Sequence, residues 1–143
     1  MTTVTIQATL EQAHTIKFAL DTYARLCIGQ LEIVSELCRD ETIPVGGRGV
    51  DSPRTAPHVE VCDEVDALLR QAKVKLGYSP NGSNGIGNRH VDVSAHRAWE
   101  VGKVLSQALA EHLDPSPAFR GVDYDGRIVH YTSDPDAVVR VEP

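Results

Sequence analysis

The feature that most constrains this chain is a run of apolar residues at helical spacing: Leu10, Ala13, Ile16, Leu20, Tyr23, Cys27, Leu31, Val34 and Leu37. Steps of three and four place them on one stripe of an α-helix. Thr9, with Gln12 three residues later, forms a capping box that sets the helix start. Running to Arg39, such a helix would be about 45 Å long at roughly 1.5 Å per residue. A compact domain of this size does not cover that length, so part of the stripe is expected to pack against another copy of the chain. At 143 residues the chain is close to the commonest domain size, and a single domain over 1–143 is expected.

Before this helix, Thr3 to Gln7 alternates, with Val4 and Ile6 on one face, and reads as a short half-buried strand. After it, Glu41 to Pro57 holds Pro44, Gly46, Gly47, Gly49, Pro53 and Pro57, which predicts a long flexible loop over 41–57. From about Val59 the helical period returns through Cys62, Val65, Leu68, Leu69, Ala72 and Leu76, and Gly77 stands where a C-terminal glycine belongs. A third helix, capped by Asp92 or Ser94, carries Ala98, Val101, Leu105, Ala108, Leu109 and Leu113 and stops before Pro115 and Pro117. Gly102 inside it invites close approach of another backbone or of a ligand. In the tail, Asp125-Gly126 separates the runs Phe119–Tyr124 and Arg127–Thr132, a hairpin signal, and Val138–Val141 follows a second turn at Asp134-Pro135. The expected fold is α+β: three amphipathic helices, an N-terminal strand and a C-terminal β-hairpin.

Charge narrows the partners. A formal net charge of −6 argues against duplex nucleic acid, which is held by many Lys and Arg contacts to phosphate. There is no apolar run of membrane-spanning length, and Met1 to Thr5 lacks a basic and apolar leader, so no membrane is expected and the cytoplasm is the expected compartment. Cys27, Cys38 and Cys62 have no metal-like spacing and fall on apolar helix faces, so they read as buried free thiols.

Catalytic constellations are not legible. Glu60, Asp63 and Glu64, with Glu32 and Glu36 on the first helix, have the oxygen ligands magnesium takes, but such spacing arises on any solvated helix face. The six histidines are scattered without a His-x-x-x-His pair, and no Gly-x-Ser-x-Gly elbow is present. No catalytic residue, metal or cofactor is therefore assigned.

Between the second and third helices, Tyr78-Ser-Pro-Asn-Gly-Ser-Asn-Gly-Ile-Gly-Asn-Arg-His90 is almost wholly turn chemistry, and 78–90 is the candidate ligand loop. Gly82, Gly85 and Gly87 let the backbone approach a ligand and turn N–H groups inward, a nest that suits phosphate. Asn84 and Asn88 are suited to reading a base or ribose, and Arg89 to pairing with phosphate. The following helix would point its positive end at the loop. The segment has neither a Walker lysine nor a Gly-x-Gly-x-x-Gly after a strand, and the same composition also suits a plain connector. Tyr78 and Ile86 are its two apolar side chains; Tyr78 would stack on a base or staple a helix end. Trp99 lies beside the apolar stripe and reads as core or subunit interface ahead of ligand stacking. Arg48, between Gly47 and Gly49, is either an anion contact or a solvated charge.

The run 78–88, followed by Ala98-Trp99-Glu100-Val101-Gly102-Lys103-Val104 and by Gly121-Val-Asp-Tyr-Asp125, resembles the first described type of phage Thoeris anti-defence protein. Those proteins are sponges: they bind and sequester cyclic ADP-ribose isomers made by bacterial TIR enzymes, and some also hold cyclic oligonucleotides. The resemblance follows the element order over most of the chain, with its motifs inside 78–125. It implies that Tyr78 is the base-stacking aromatic, that Asn81 or Asn84 and the turn Gly85-Ile86-Gly87 contact ribose and phosphate, and that the third helix lines the pocket. The family carries arginines one and two turns into that helix, where this chain has Gly102 and Ser106 with Lys103 nearby. Arg89, Arg97, Lys103 or Arg48 would then supply the positive charge. A homodimer or hexamer in the host bacterial cytoplasm is also implied.

The expectation is a noncatalytic phage or prophage protein that sequesters a small anionic nucleotide. Two other readings stand beside it: a magnesium-dependent nucleoside triphosphate pyrophosphohydrolase, and a phage structural or adaptor protein whose loop joins subunits.

Overall fold

The computed structural model describes residues 1–45 and 58–143. Its regular elements are α1 (Leu10–Cys27), α2 (Ile33–Arg39), α3 (His58–Lys75), α4 (Val93–Leu113) and a 3-10 turn at Val122–Tyr124. No strand occurs among the described residues, so the expected α+β fold is corrected to an all-helical one.

Both strand expectations fail for want of a partner. Val4 and Ile6 do alternate with threonines, yet they are 83% and 74% exposed. A strand needs a neighbour to take its N–H and C=O groups and cover its apolar face, and the described residues offer no such edge. In the tail, Asp125-Gly126 does turn, with Gly126 at φ +61°. The runs beside it form no ladder, because Tyr131 and Thr132 donate their backbone N–H groups to the Glu100 carboxylate at 2.7 and 2.9 Å. A charged acceptor with little exposure holds those donors more strongly than a neutral carbonyl on an exposed hairpin would.

The single long first helix is also corrected. The capping box forms as expected: Thr9 N donates to Gln12 Oε1 at 2.9 Å, and Gln12 N donates to Thr9 Oγ1 at 3.2 Å. The helix then ends at Cys27. Gly29 takes φ +89°, its N–H reaches Leu26 O at 3.0 Å and Gln30 N reaches Arg25 O at 3.0 Å. These are the two bonds of a Schellman motif, which closes the helix on a left-handed glycine. Gly77, at φ +91°, ends α3 in the same way, with Gly77 N on Val74 O and Tyr78 N on Lys73 O.

The described residues form two compact units, Met1–Ala24 with Ile86–Pro143, and Arg25–Gly85. In the first, Val91, Ala95, Ala98, Leu105 and Leu109 are buried along α4 with Ala24 of α1. Asp92 caps α4 by accepting from Ser94 N at 2.9 Å, and the hydrogen bonds from Ser94 hold its carboxyl below the ordinary value. Tyr23 and Ser94 share a hydroxyl hydrogen bond of 2.7 Å.

In the second unit α2 lies on α3 over Ile33, Cys38 and Cys62, all buried. The three cysteines carry free thiols, and Cys27 is half-buried. Burial, with the neighbouring Cys62, pushes the Cys38 thiol up. Polar groups join the same helices. Lys73, fully buried, donates to Glu32 Oε2 at 2.8 Å, and Arg70 Nε donates to Asp66 Oδ2 at 2.7 Å. The hydrogen bonds from Arg70 and Ser35 hold the Asp66 carboxyl below its ordinary value. Among the described residues no helix is long and apolar enough to cross a membrane.

Candidate ligand loop

The loop expected over 78–90 is divided between the two units. In the unit Arg25–Gly85, its first residues are engaged in holding the chain. The Tyr78 ring stands over Gly29, where an added Cβ would lie 2.6 Å from Cζ. Asn84 Nδ2 donates to the Tyr78 hydroxyl at 3.2 Å, and Asn84 N donates to Ile28 O at 2.8 Å. Arg70 Nη1 donates to Asn81 Oδ1 and lies 3.4 Å from Pro80 O. Gly85 has open space where a side chain would be. The loop is thus fastened to the end of α1 by Tyr78 and Asn84, and to α3 by Asn81.

In the other unit, Ile86 is half-buried and Gly87 backs onto Tyr131. A Cβ at residue 87 would stand 2.8 Å from Tyr131 Cε1, so the ring occupies the space a side chain would need. Tyr131 also lies over α4, 5.4 Å from the His96 ring and 5.2 Å, edge-on, from Trp99. Gly87 and Trp99 are therefore brought together around a residue that the sequence reading left in a strand. Asn88 turns the chain into α4: its Oδ1 accepts from His90 N at 2.9 Å and its carbonyl from Val91 N at 3.0 Å. Among the described residues the backbone N–H groups of Ile86 and Gly87 meet no acceptor. Arg89 is exposed and, among the described residues, makes no ion pair; its Nε lies 3.4 Å from His90 Nε2.

The other candidate cations are engaged. Lys103 Nζ donates to Val122 O at 3.0 Å, and Arg97 pairs with Asp134 at 2.7 Å, a hydrogen bond that raises the guanidinium above its ordinary value. Ser106 is buried in α4. Arg48 lies outside the described residues, as does most of the expected loop 41–57. Two of the acidic residues considered for magnesium have partners: Asp63 pairs with Arg39 at 2.9 Å and Glu32 with Lys73 at 2.8 Å. Among the described residues no three of His, Cys, Asp and Glu are grouped to hold a metal.

Sequence reasoning missed Glu100, Arg127, His96 and Tyr131. Glu100 is 3% exposed and accepts from Arg127 Nη1 at 2.7 Å and Thr132 Oγ1 at 2.6 Å, besides the two backbone donors. Burial alone would raise its carboxyl, but the bonds from Thr132 and Tyr131 and the charge of Arg127 prevail and hold it below its ordinary value. His96, in the first turn of α4, is buried with no hydrogen-bond partner for Nε2 among the described residues. The one signal that pointed here was a glutamate on the same turn as the lone tryptophan.

No protein-family model matches the chain, and comparison with curated proteins and with solved structures returns no match.

Proposed function

We propose that this chain is a noncatalytic phage or prophage protein that binds and sequesters a cyclic nucleotide immune signal, a glycocyclic ADP-ribose or a cyclic oligonucleotide, and so blocks bacterial anti-phage defence. The observation that carries the reading is the segment Ile86–Arg89. Among the described residues it sets two backbone N–H groups without an acceptor, and an exposed guanidinium that makes no ion pair, on one short stretch of the unit that also holds Trp99 and Tyr131. Consecutive N–H donors with an arginine suit phosphate oxygens, and aromatic rings suit a base. The resemblance of 78–88, 98–104 and 121–125 to the sponge family supplies the ligand class. Gly102 and Ser106 offer no charge, Lys103 is held by a carbonyl and Arg97 by Asp134, so of the candidate cations among the described residues Arg89 is the one assigned to this site. Self-association as a homodimer or hexamer, which the same resemblance implies, is part of the proposal.

Calorimetry with glycocyclic ADP-ribose isomers and cyclic di- and trinucleotides tests the reading. Heat is expected from at least one, and mass spectrometry of ligand released by heating should return it unmodified. Silence across the whole panel removes the proposal, and a cleaved nucleotide would make the protein an enzyme.

A further inference from the structure

Glu100 is the most heavily engaged carboxylate described in this chain. Oε1 accepts from Tyr131 N and Thr132 N at 2.7 and 2.9 Å, and Oε2 from Thr132 Oγ1 and Arg127 Nη1 at 2.6 and 2.7 Å. All four donors come from one tail segment, so this carboxylate fixes where Tyr131 leaves the backbone. From there the Tyr131 ring reaches over α4 and meets Gly87. The chain of contact runs from a buried acid, through a tail residue, to the backbone of the loop whose Ile86 and Gly87 N–H groups meet no acceptor among the described residues.

We infer that Glu100 and Tyr131 are positioning residues of this site: Glu100 fixes the tail, and Tyr131 buttresses Gly87 so that Ile86–Arg89 presents its donors in a set arrangement. The inference rests on the function proposed above. A glycine-rich loop left to itself would have to be ordered when the ligand arrives, and that ordering is lost affinity. The ring and the missing side chain act together: Gly87 leaves the space, Tyr131 fills it, and a side chain at residue 87 would drive them apart. The tail is accordingly part of the site although it touches neither Arg89 nor the loop donors in any described hydrogen bond.

The test is a double-mutant cycle on the intact chain. Tyr131→Ala and Gly87→Ala are each expected to weaken binding of the tightest panel nucleotide by roughly tenfold, within the range for residues in contact. Tyr131→Phe keeps the ring and should restore affinity. The double variant should bind no worse than Tyr131→Ala alone, and Glu100→Gln should add nothing to Tyr131→Ala. Amide hydrogen exchange gives a reading that needs no ligand: exchange at residues 86–89 should quicken in Tyr131→Ala and Glu100→Gln and stay unchanged in Tyr131→Phe. Additive losses, or unchanged exchange in the two disrupting variants, overturn the inference. A wild-type chain that binds nothing in the panel removes the proposed function, and the exchange rates then decide the positioning by themselves.

Discussion

The ring of Tyr78 lies over Gly29, and a Cβ on residue 29 would meet three of its atoms at 2.6 to 2.9 Å. Two helix ends are locked by that contact, since Gly29 closes α1 and Tyr78 follows the glycine that closes α3. The face of Tyr78 that covers Gly29 is unavailable to a nucleotide base, so its first role is that of a staple.

Gly29→Ala therefore carries two penalties. At φ +89° an L side chain is strained by roughly 1 to 2 kcal/mol, and overpacking against the ring adds about 1 to 3 kcal/mol. Urea denaturation should show a loss of about 2 to 5 kcal/mol, smaller in a Tyr78→Ala background where the ring is gone. Equal losses in both backgrounds would mean that the ring does not press on residue 29.

Glu100 makes stability depend on acid. Its carboxyl is held below the ordinary value of 4.5, so the folded state binds its proton less readily than the unfolded chain does. The stabilisation is complete above about 4.5 and is lost as pH falls through the lower folded value. Glu100→Ala is expected to cost about 3 kcal/mol at neutral pH, the low end for a broken buried pair, because Asp136 still meets Arg127 at 2.5 Å. Thermal melts across the acid range should show a shallower decline for Glu100→Gln than for wild type; parallel curves would remove Glu100 from the acid response.

What was legible in the sequence follows from how local each signal is. The capping box at Thr9 and Gln12, the stripe ended by Gly77 and the Asp92 cap all depend on neighbours a few residues away, and each stands as expected. Gly29 carries the same chemistry as Gly77, but apolar residues continue in helical register through Leu31, Val34 and Leu37 and conceal the break. Arg127–Thr132 has the β-branched and aromatic residues of a strand, yet composition cannot say whether a partner strand exists. The acceptor that takes the Tyr131 and Thr132 N–H groups, Glu100, is 31 and 32 residues distant in sequence and known only from the fold. The buttress at Gly87 was hidden for the same reason, while Ile86, Gly87 and Arg89 were visible as loop chemistry.

The pair of Lys73 and Glu32 should respond unequally to loss of either partner. Lys73 has 0% exposure, whereas the Glu32 side chain is 26% exposed and can be rehydrated. Glu32→Ala strands a buried ammonium and should cost about 3 to 5 kcal/mol. Lys73→Met removes the buried charge, keeps its volume and should change stability by no more than about 1 kcal/mol. Chemical denaturation of the two variants decides it, and equal costs would show that the ammonium is not what makes the pair sensitive.

Gly102 separates a packing role from a ligand role. The sequence reading left it as a point of close approach, but a Cβ there would meet only Leu20 Cβ at 3.6 Å, an ordinary contact. Alanine in a helix interior is favoured over glycine by up to about 1 kcal/mol, so Gly102→Ala should hold or raise the denaturation midpoint. If the nucleotide sits at Ile86–Arg89 as proposed, calorimetry should give the variant wild-type affinity. A variant of undiminished stability that no longer binds would move the point of ligand approach onto α4 and away from the glycine loop.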